Sequence, residues 1–163
     1  MKKYLLKVLT ICVLSLSIIS TSTQNSSANT NFEQMSSSII YNTDESYDIE
    51  VVYSNTPEKS LLIAQYSNTE TKSFTKMIKH YDKNDNLCWV YTLKATFNVN
   101  KGVSAKYKTS TASLEIQNNN YLFYSEHHDG SNNKATGTIK IKHNNTISSN
   151  TTTITCTKYG NFK

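Results

Sequence analysis

From Trp89 to Val99 the chain alternates without interruption. Trp89, Tyr91, Leu93, Ala95, Phe97 and Val99 fall on one parity, and Val90, Thr92, Lys94, Thr96 and Asn98 on the other. Successive side chains of a strand point to opposite faces, so a period of two predicts a long strand with one face buried. Ahead of it, Thr75 to Tyr81 is rich in strand formers, and the polar cluster Asp82-Lys83-Asn84-Asp85-Asn86 between them reads as a hairpin loop. After the turn Asn100-Lys101-Gly102, Val103, Ala105, Tyr107 and Thr109 share one parity, whereas Ala112, Leu114 and Ile116 share the other. That switch predicts a bulge or bend near Ser110. Tyr121 to Glu126, Ala135 to Ile141 and Thr151 to Lys158 read as further strands, and so does Tyr47 to Tyr53, where Tyr47, Ile49, Val51 and Tyr53 alternate against Asp48 and Glu50. Leu61 to Tyr66 is too short an apolar run to separate strand from helix. Seven or eight short strands with frequent turns and little helical period predict an all-β, single antiparallel β-sandwich, with a β-barrel as the alternative.

The amino terminus follows a different rule. A basic start, Met1-Lys2-Lys3-Tyr4-Leu5-Leu6-Lys7, leads into a mostly apolar run from Val8 to Ile19. That pattern predicts a signal peptide over residues 1–28, with the small residues Ser26-Ser27-Ala28 as the cleavage site and Ser20-Thr21-Ser22 as a second choice. The run falls short of the roughly 20 residues a membrane span needs. Cys12 reads as an apolar filler of that run rather than a lipidation site, because the residue before it is the bulky Ile11. Residues 29–45 read as a flexible acidic leader and residues 46–163 as the sandwich domain. The expected localisation is secreted and extracellular, with no stable membrane anchor and no wall-sorting signal.

Charge then narrows the partners. All seventeen basic residues are lysine. Residues 29–58 hold six acids and no lysine, whereas residues 59–163 hold fourteen lysines and six acids. Without arginine the usual bidentate reader of phosphates and guanine edges is missing, which argues against nucleic acid as a partner. The lysine excess instead favours an anionic cell-wall polymer.

Two cysteines, Cys88 and Cys156, follow the expected cleavage site. In an oxidising compartment they are candidates for one disulfide, worth about 4 kcal/mol in the chain-entropy model, or else for two buried thiols.

The stretch Trp89 to Gly102, WVYTLKATFNVNKG, together with Ala135-Thr136-Gly137 and Ile154-Thr155-Cys156 followed by Gly160-Asn161-Phe162, resembles small secreted β-rich proteins of clostridia and related Gram-positive bacteria. The likeness covers about the carboxy-terminal half. It departs at Lys94-Ala95, where Thr-Gly is usual, at Leu122-Phe123 in place of a tryptophan, and in a shortened His143 to Asn150. It implies secretion and β-architecture and carries no chemistry.

Candidate chemistry is sparse. His127, His128 and Asp129 form the one cluster with metal-ligand character, which His80 or His143 could complete, provided the backbone turns at Asp129 to Asn133. Gly-x-Ser-x-Gly and His-Glu-x-x-His are absent from the sequence, Cys88 reads as a half-cystine before a nucleophile, and Glu115 and Glu126 read as surface acids. Four glycines form no phosphate loop, so no cofactor is expected. Among eleven tyrosines, Tyr121 and Tyr124, with Phe123 between them and Asn118 to Asn120 beside them, suit sugar stacking or protein contact. The expectation is therefore a non-enzymatic interaction module that binds cell envelope, glycan or protein, with a toxin-like or inhibitory secreted protein as the alternative.

Overall fold

The computed structural model describes residues 32–55 and 68–163. The expected signal peptide and the run Leu61 to Tyr66 lie outside the described residues. Eight strands follow one another: β1 (Phe32–Tyr41), β2 (Tyr47–Asn55), β3 (Thr69–Tyr81), β4 (Leu87–Asn100), β5 (Ser104–Ile116), β6 (Tyr121–Ser131), β7 (Lys134–His143) and β8 (Thr146–Thr155). They form two antiparallel sheets in simple order, β1-β2-β3-β4-β5 and β6-β7-β8. Neither closes on itself, so the architecture is a sandwich and not a barrel.

The Trp89 parity makes the core. Trp89, Tyr91, Leu93, Ala95, Phe97 and Val99 are all buried, and they meet Ala135, Ile139, Ile141 and Ile154 of the smaller sheet. Here β7 lies over β4 and β8 over β3, while β5 packs against β6 and β7. Two glycines allow this close approach: a Cβ on Gly137 would collide with the Tyr91 hydroxyl, and one on Gly130 would enter the Tyr107 ring. The Tyr91 hydroxyl donates to Glu126 Oε1 at 2.9 Å, which satisfies a phenol in the middle of an apolar layer. Burial, then that bond, raises the Tyr91 phenol far above its ordinary value.

The bulge predicted near Ser110 is present. Thr96 faces Thr109 and Phe97 faces Tyr107, which leaves Lys108 as the extra residue. It lets Tyr107 and Ala105 rejoin the core side after the parity switch.

Two expectations change. Residues 29–45 were expected as a flexible leader, yet Phe32–Tyr41 is a strand, paired with β2 from Phe32↔Asn55 to Tyr41↔Tyr47. The backbone ladder, not an apolar face, orders it, because Met35, Ile39 and Ile40 all remain nearly half exposed. On β2 the polar parity, not the apolar one, faces inward: Asp48 stands opposite His80, and His80 opposite Trp89. The smaller sheet reaches β3, so β2 borders the core without lying beneath it. Its inward carboxylates find partners on strand β3 instead, Asp48 in a 2.7 Å hydrogen bond with His80 and Glu50 in a 2.9 Å ion pair with Lys76. Tyr47, on the outward parity, stacks on Tyr81 at 5.1 Å, and burial raises its phenol to about 12 with Asp85 adding to the effect.

The cysteines do not pair. Cys88 and Cys156 are both buried free thiols. Cys88 begins β4 beside Trp89, whereas the charges acting on Cys156 are Lys72 and Glu70, which stand level with Phe97 and Val99. At ~3.3 Å per residue Cys88 and the Phe97 level of β4 are about 30 Å apart, against the ~7 Å limit on Cα separation for a disulfide. Burial pushes the Cys156 thiol up to about 11, so little thiolate is available to react. Reductant should therefore leave the melting temperature unchanged, and both thiols should react with a thiol reagent only after unfolding. A melting temperature that falls on reduction would contradict this arrangement.

Candidate functional site

At the Trp89 end the two sheets part. On β8 the inward positions change from Ile154 and Thr152 to Asn150 and Ser148, small polar side chains that supply no apolar contact to close the gap. The result is a cavity of about 380 Å³ between the sheets. Volumes of this order suit a small ligand.

Three parts of the chain build its walls. Asp48, His80 and Trp89 form one cross-strand row on the larger sheet. The smaller sheet contributes Tyr121, His143, Ser148 and Asn150. The rim is the β1–β2 loop, with Asn42, Asp44 and Ser46, together with Asn144 of the β7–β8 turn and Thr146 at the start of β8. Both rim segments are held by a residue in the left-handed region, Glu45 at φ 64° and Asn144 at φ 54°. The β1–β2 loop is further fixed by Asn42 N–H donating to the Ser46 carbonyl at 2.9 Å.

Four rings make a continuous wall across both sheets. His80 stacks on Trp89 at 4.9 Å, Tyr121 meets His80 edge-on at 5.6 Å, and His143 stacks on Tyr121 at 4.2 Å. Asp48 Oδ1 lies 2.7 Å from His80 Nδ1 and fixes the plane of that imidazole. Burial, and then its bond with the Cys88 thiol, lifts the Tyr121 phenol well above its ordinary value. At the rim the Ser46 hydroxyl and amide donate to Asp44 Oδ1 at 2.5 and 3.2 Å. The hydroxyl bond chiefly holds the Asp44 carboxyl below the usual carboxylate value. The site therefore combines rigid aromatic surface, carboxylates, and a fringe of hydroxyl and amide groups.

The residues singled out in the sequence divide. Tyr121 is buried in the cavity wall, but Phe123 and Tyr124 are 57 % exposed outside it. Tyr124 is the extra residue of a second bulge, since Phe123 faces Ile141 and Ser125 faces Lys140. The metal set is not assembled. No turn forms at Asp129, because β6 continues to Ser131 and the reversal is the tight pair Asn132-Asn133. His127 and Asp129 thus share one face of β6 while His128 takes the other, bonding Glu126 Oε1 at 3.0 Å. His80 and His143 are committed to the ring wall at the opposite end. Among the described residues no three His, Cys, Asp or Glu side chains converge as a metal site. Glu126 is engaged by Tyr91 and His128, and Glu115 lies exposed on β5.

Sequence reasoning missed Asp48, His80 and Asn150 as parts of one site. The only trace was that Asp48 interrupts a strand of aromatic and aliphatic residues, and a buried acid requires a partner. A second depression of about 300 Å³, lined by Thr75, Thr92, Lys94 and Thr111 among others, has no aromatic side chain.

No family model, curated protein or solved structure matches this chain in the three comparisons made.

Proposed function

We propose that this protein is a secreted, non-enzymatic binding module and that it takes a glycan in the cavity between its two sheets. The observation that carries the reading is the composition of that cavity: a wall of ordered rings beside Asn42, Ser46, Ser148 and Asn150. A sugar presents apolar C–H faces edged by hydroxyl groups, and it is held by aromatic surface for the first and by amides, hydroxyls and carboxylates for the second. Ring stacking and the Asp48–His80 bond fix the wall in place before a ligand arrives, which lowers the ordering cost of binding. Leu122, Phe123 and Tyr124, exposed next to Tyr121 along β6, supply apolar surface for a longer chain or a protein-borne glycan.

The export signal expected from the amino-terminal sequence supports a partner outside the cell, and the absence of a nucleophile or general-acid motif supports binding without turnover. Trp89 is the single tryptophan and forms part of the wall, so its fluorescence reports occupancy. Glycan-array probing followed by fluorescence titration should identify a saccharide that shifts Trp89 emission saturably. Asn150→Ala should weaken that binding at least tenfold while leaving the melting temperature within a few degrees. Failure of every saccharide to bind, or binding indifferent to Asn150 and Tyr121 substitutions, would overturn the reading.

A further inference from the structure

Among the described residues the lysines avoid the cavity. Thirteen of them lie between residues 68 and 163, yet none is among the side chains that line it. The cavity instead carries two carboxylates from different elements, Asp44 on the rim and Asp48 on the wall. Asp44 spends Oδ1 on Ser46, and Asp48 spends Oδ1 on His80. From this juxtaposition of a lysine-free cavity, two carboxylates and an ordered ring wall, we infer that the ligand is a saccharide bearing a protonated amine. The same cavity disfavours saccharides bearing carboxylate or phosphate. This inference rests on the glycan-binding reading and adds the charge of the ligand to it.

Two physical arguments support the choice. A partly desolvated carboxylate attracts an ammonium group more strongly than an exposed one, and it repels a ligand anion for the same reason. Asp48 is 6 % exposed, so it acts from the less hydrated side of the cavity. Hydrogen bonding from Ser46 keeps Asp44 ionised through the neutral range. The overall charge works in the opposite direction. Residues 29–163, with fourteen lysines against twelve acids, weakly repel a polycation and attract a polyanion, so preference for an amino sugar has to come from the local site. The lysines expected to favour an anionic wall polymer would act elsewhere on the surface.

The test is a titration of the purified protein with four oligosaccharides of equal length, read by Trp89 fluorescence and calorimetry. The probes are oligomers of glucosamine, of N-acetylglucosamine, of glucose and of galacturonic acid. The glucosamine oligomer should bind at least tenfold more tightly than its acetylated or uncharged counterparts, and the galacturonate should bind least. Asp44→Asn keeps an acceptor for Ser46 and removes the charge. It should bring the ratio of glucosamine-oligomer to glucose-oligomer affinity from tenfold towards one, with the melting temperature near that of the parent. Asp48→Asn should lower the same ratio, with the His80 contact retained. Equal affinity for amino and neutral oligomers, or tightest binding of galacturonate, would overturn the inference and leave the glycan-binding reading standing. No binding of any of the four, with none found on the array, would overturn both.

Discussion

Trp89→Ala should cost about 3–5 kcal/mol of folding stability, the range measured for removing a large buried aromatic. Trp89 is 1 % exposed, lies on the inward face of the interior strand β4, and carries the imidazole of His80 on its ring at 4.9 Å. Truncation therefore removes core volume and also the support of the ring wall. The cavity beside it would let water in, which offsets part of the void but solvates the Asp48–His80 pair on a new side. Denaturant unfolding followed by circular dichroism should show a lower midpoint with an unchanged slope. Trp89→Phe should recover at least half of the loss, because a ring still fills the site. A loss below about 1 kcal/mol for the alanine variant would mean that Trp89 is not packed as described.

The second large effect concerns Asp48. Asp48→Ala should destabilise the protein by about 1–3 kcal/mol, because it leaves the buried His80 Nδ1 without its partner. The same change should reduce ligand binding more than tenfold, since it frees the imidazole that stacks on Trp89 and faces Tyr121. Asp48→Asn should cost less, as the amide oxygen can still accept from the ring. Thermal melts together with NMR of the His80 ring nitrogens would separate the two variants. Equal stability of Asp48→Ala and the parent would mean that the 2.7 Å contact contributes no net stability.

Legibility of the fold in the sequence followed burial. Strand β4 is sandwiched between β3 and β5 and covered on one face, so its residues were written in strict alternation and could be read directly. Strand β1 is covered on neither face to that extent, and Met35-Ser36-Ser37-Ser38-Ile39-Ile40 carries no period at all. Only the backbone ladder to β2 places it, and a ladder leaves no trace in side-chain pattern. The first half of β8, Thr146 to Asn150, was missed for a related reason: it borders the cavity, where Ser148 and Asn150 replace apolar residues. Asp129-Gly130 looked like a turn, yet Gly130 is in a strand because the Tyr107 ring occupies the place of a side chain. The site itself joins residues from β2, β3, β4, β6, β7 and β8. Asp48 and His80 are 32 positions apart, and their meeting depends on the β2–β3 register rather than on any local motif.

Strand order has one more implication. Within each sheet every strand neighbours the one made just before it and the one made just after, so no late segment must be threaded between two early ones. Growth by successive hairpins keeps loop-closure costs small for an all-β chain. A polypeptide that emerges amino end first could zip up the larger sheet as it arrives, and the three closing strands would then settle on a surface already formed. The ligand cavity, which needs both layers, would be the last part to take shape.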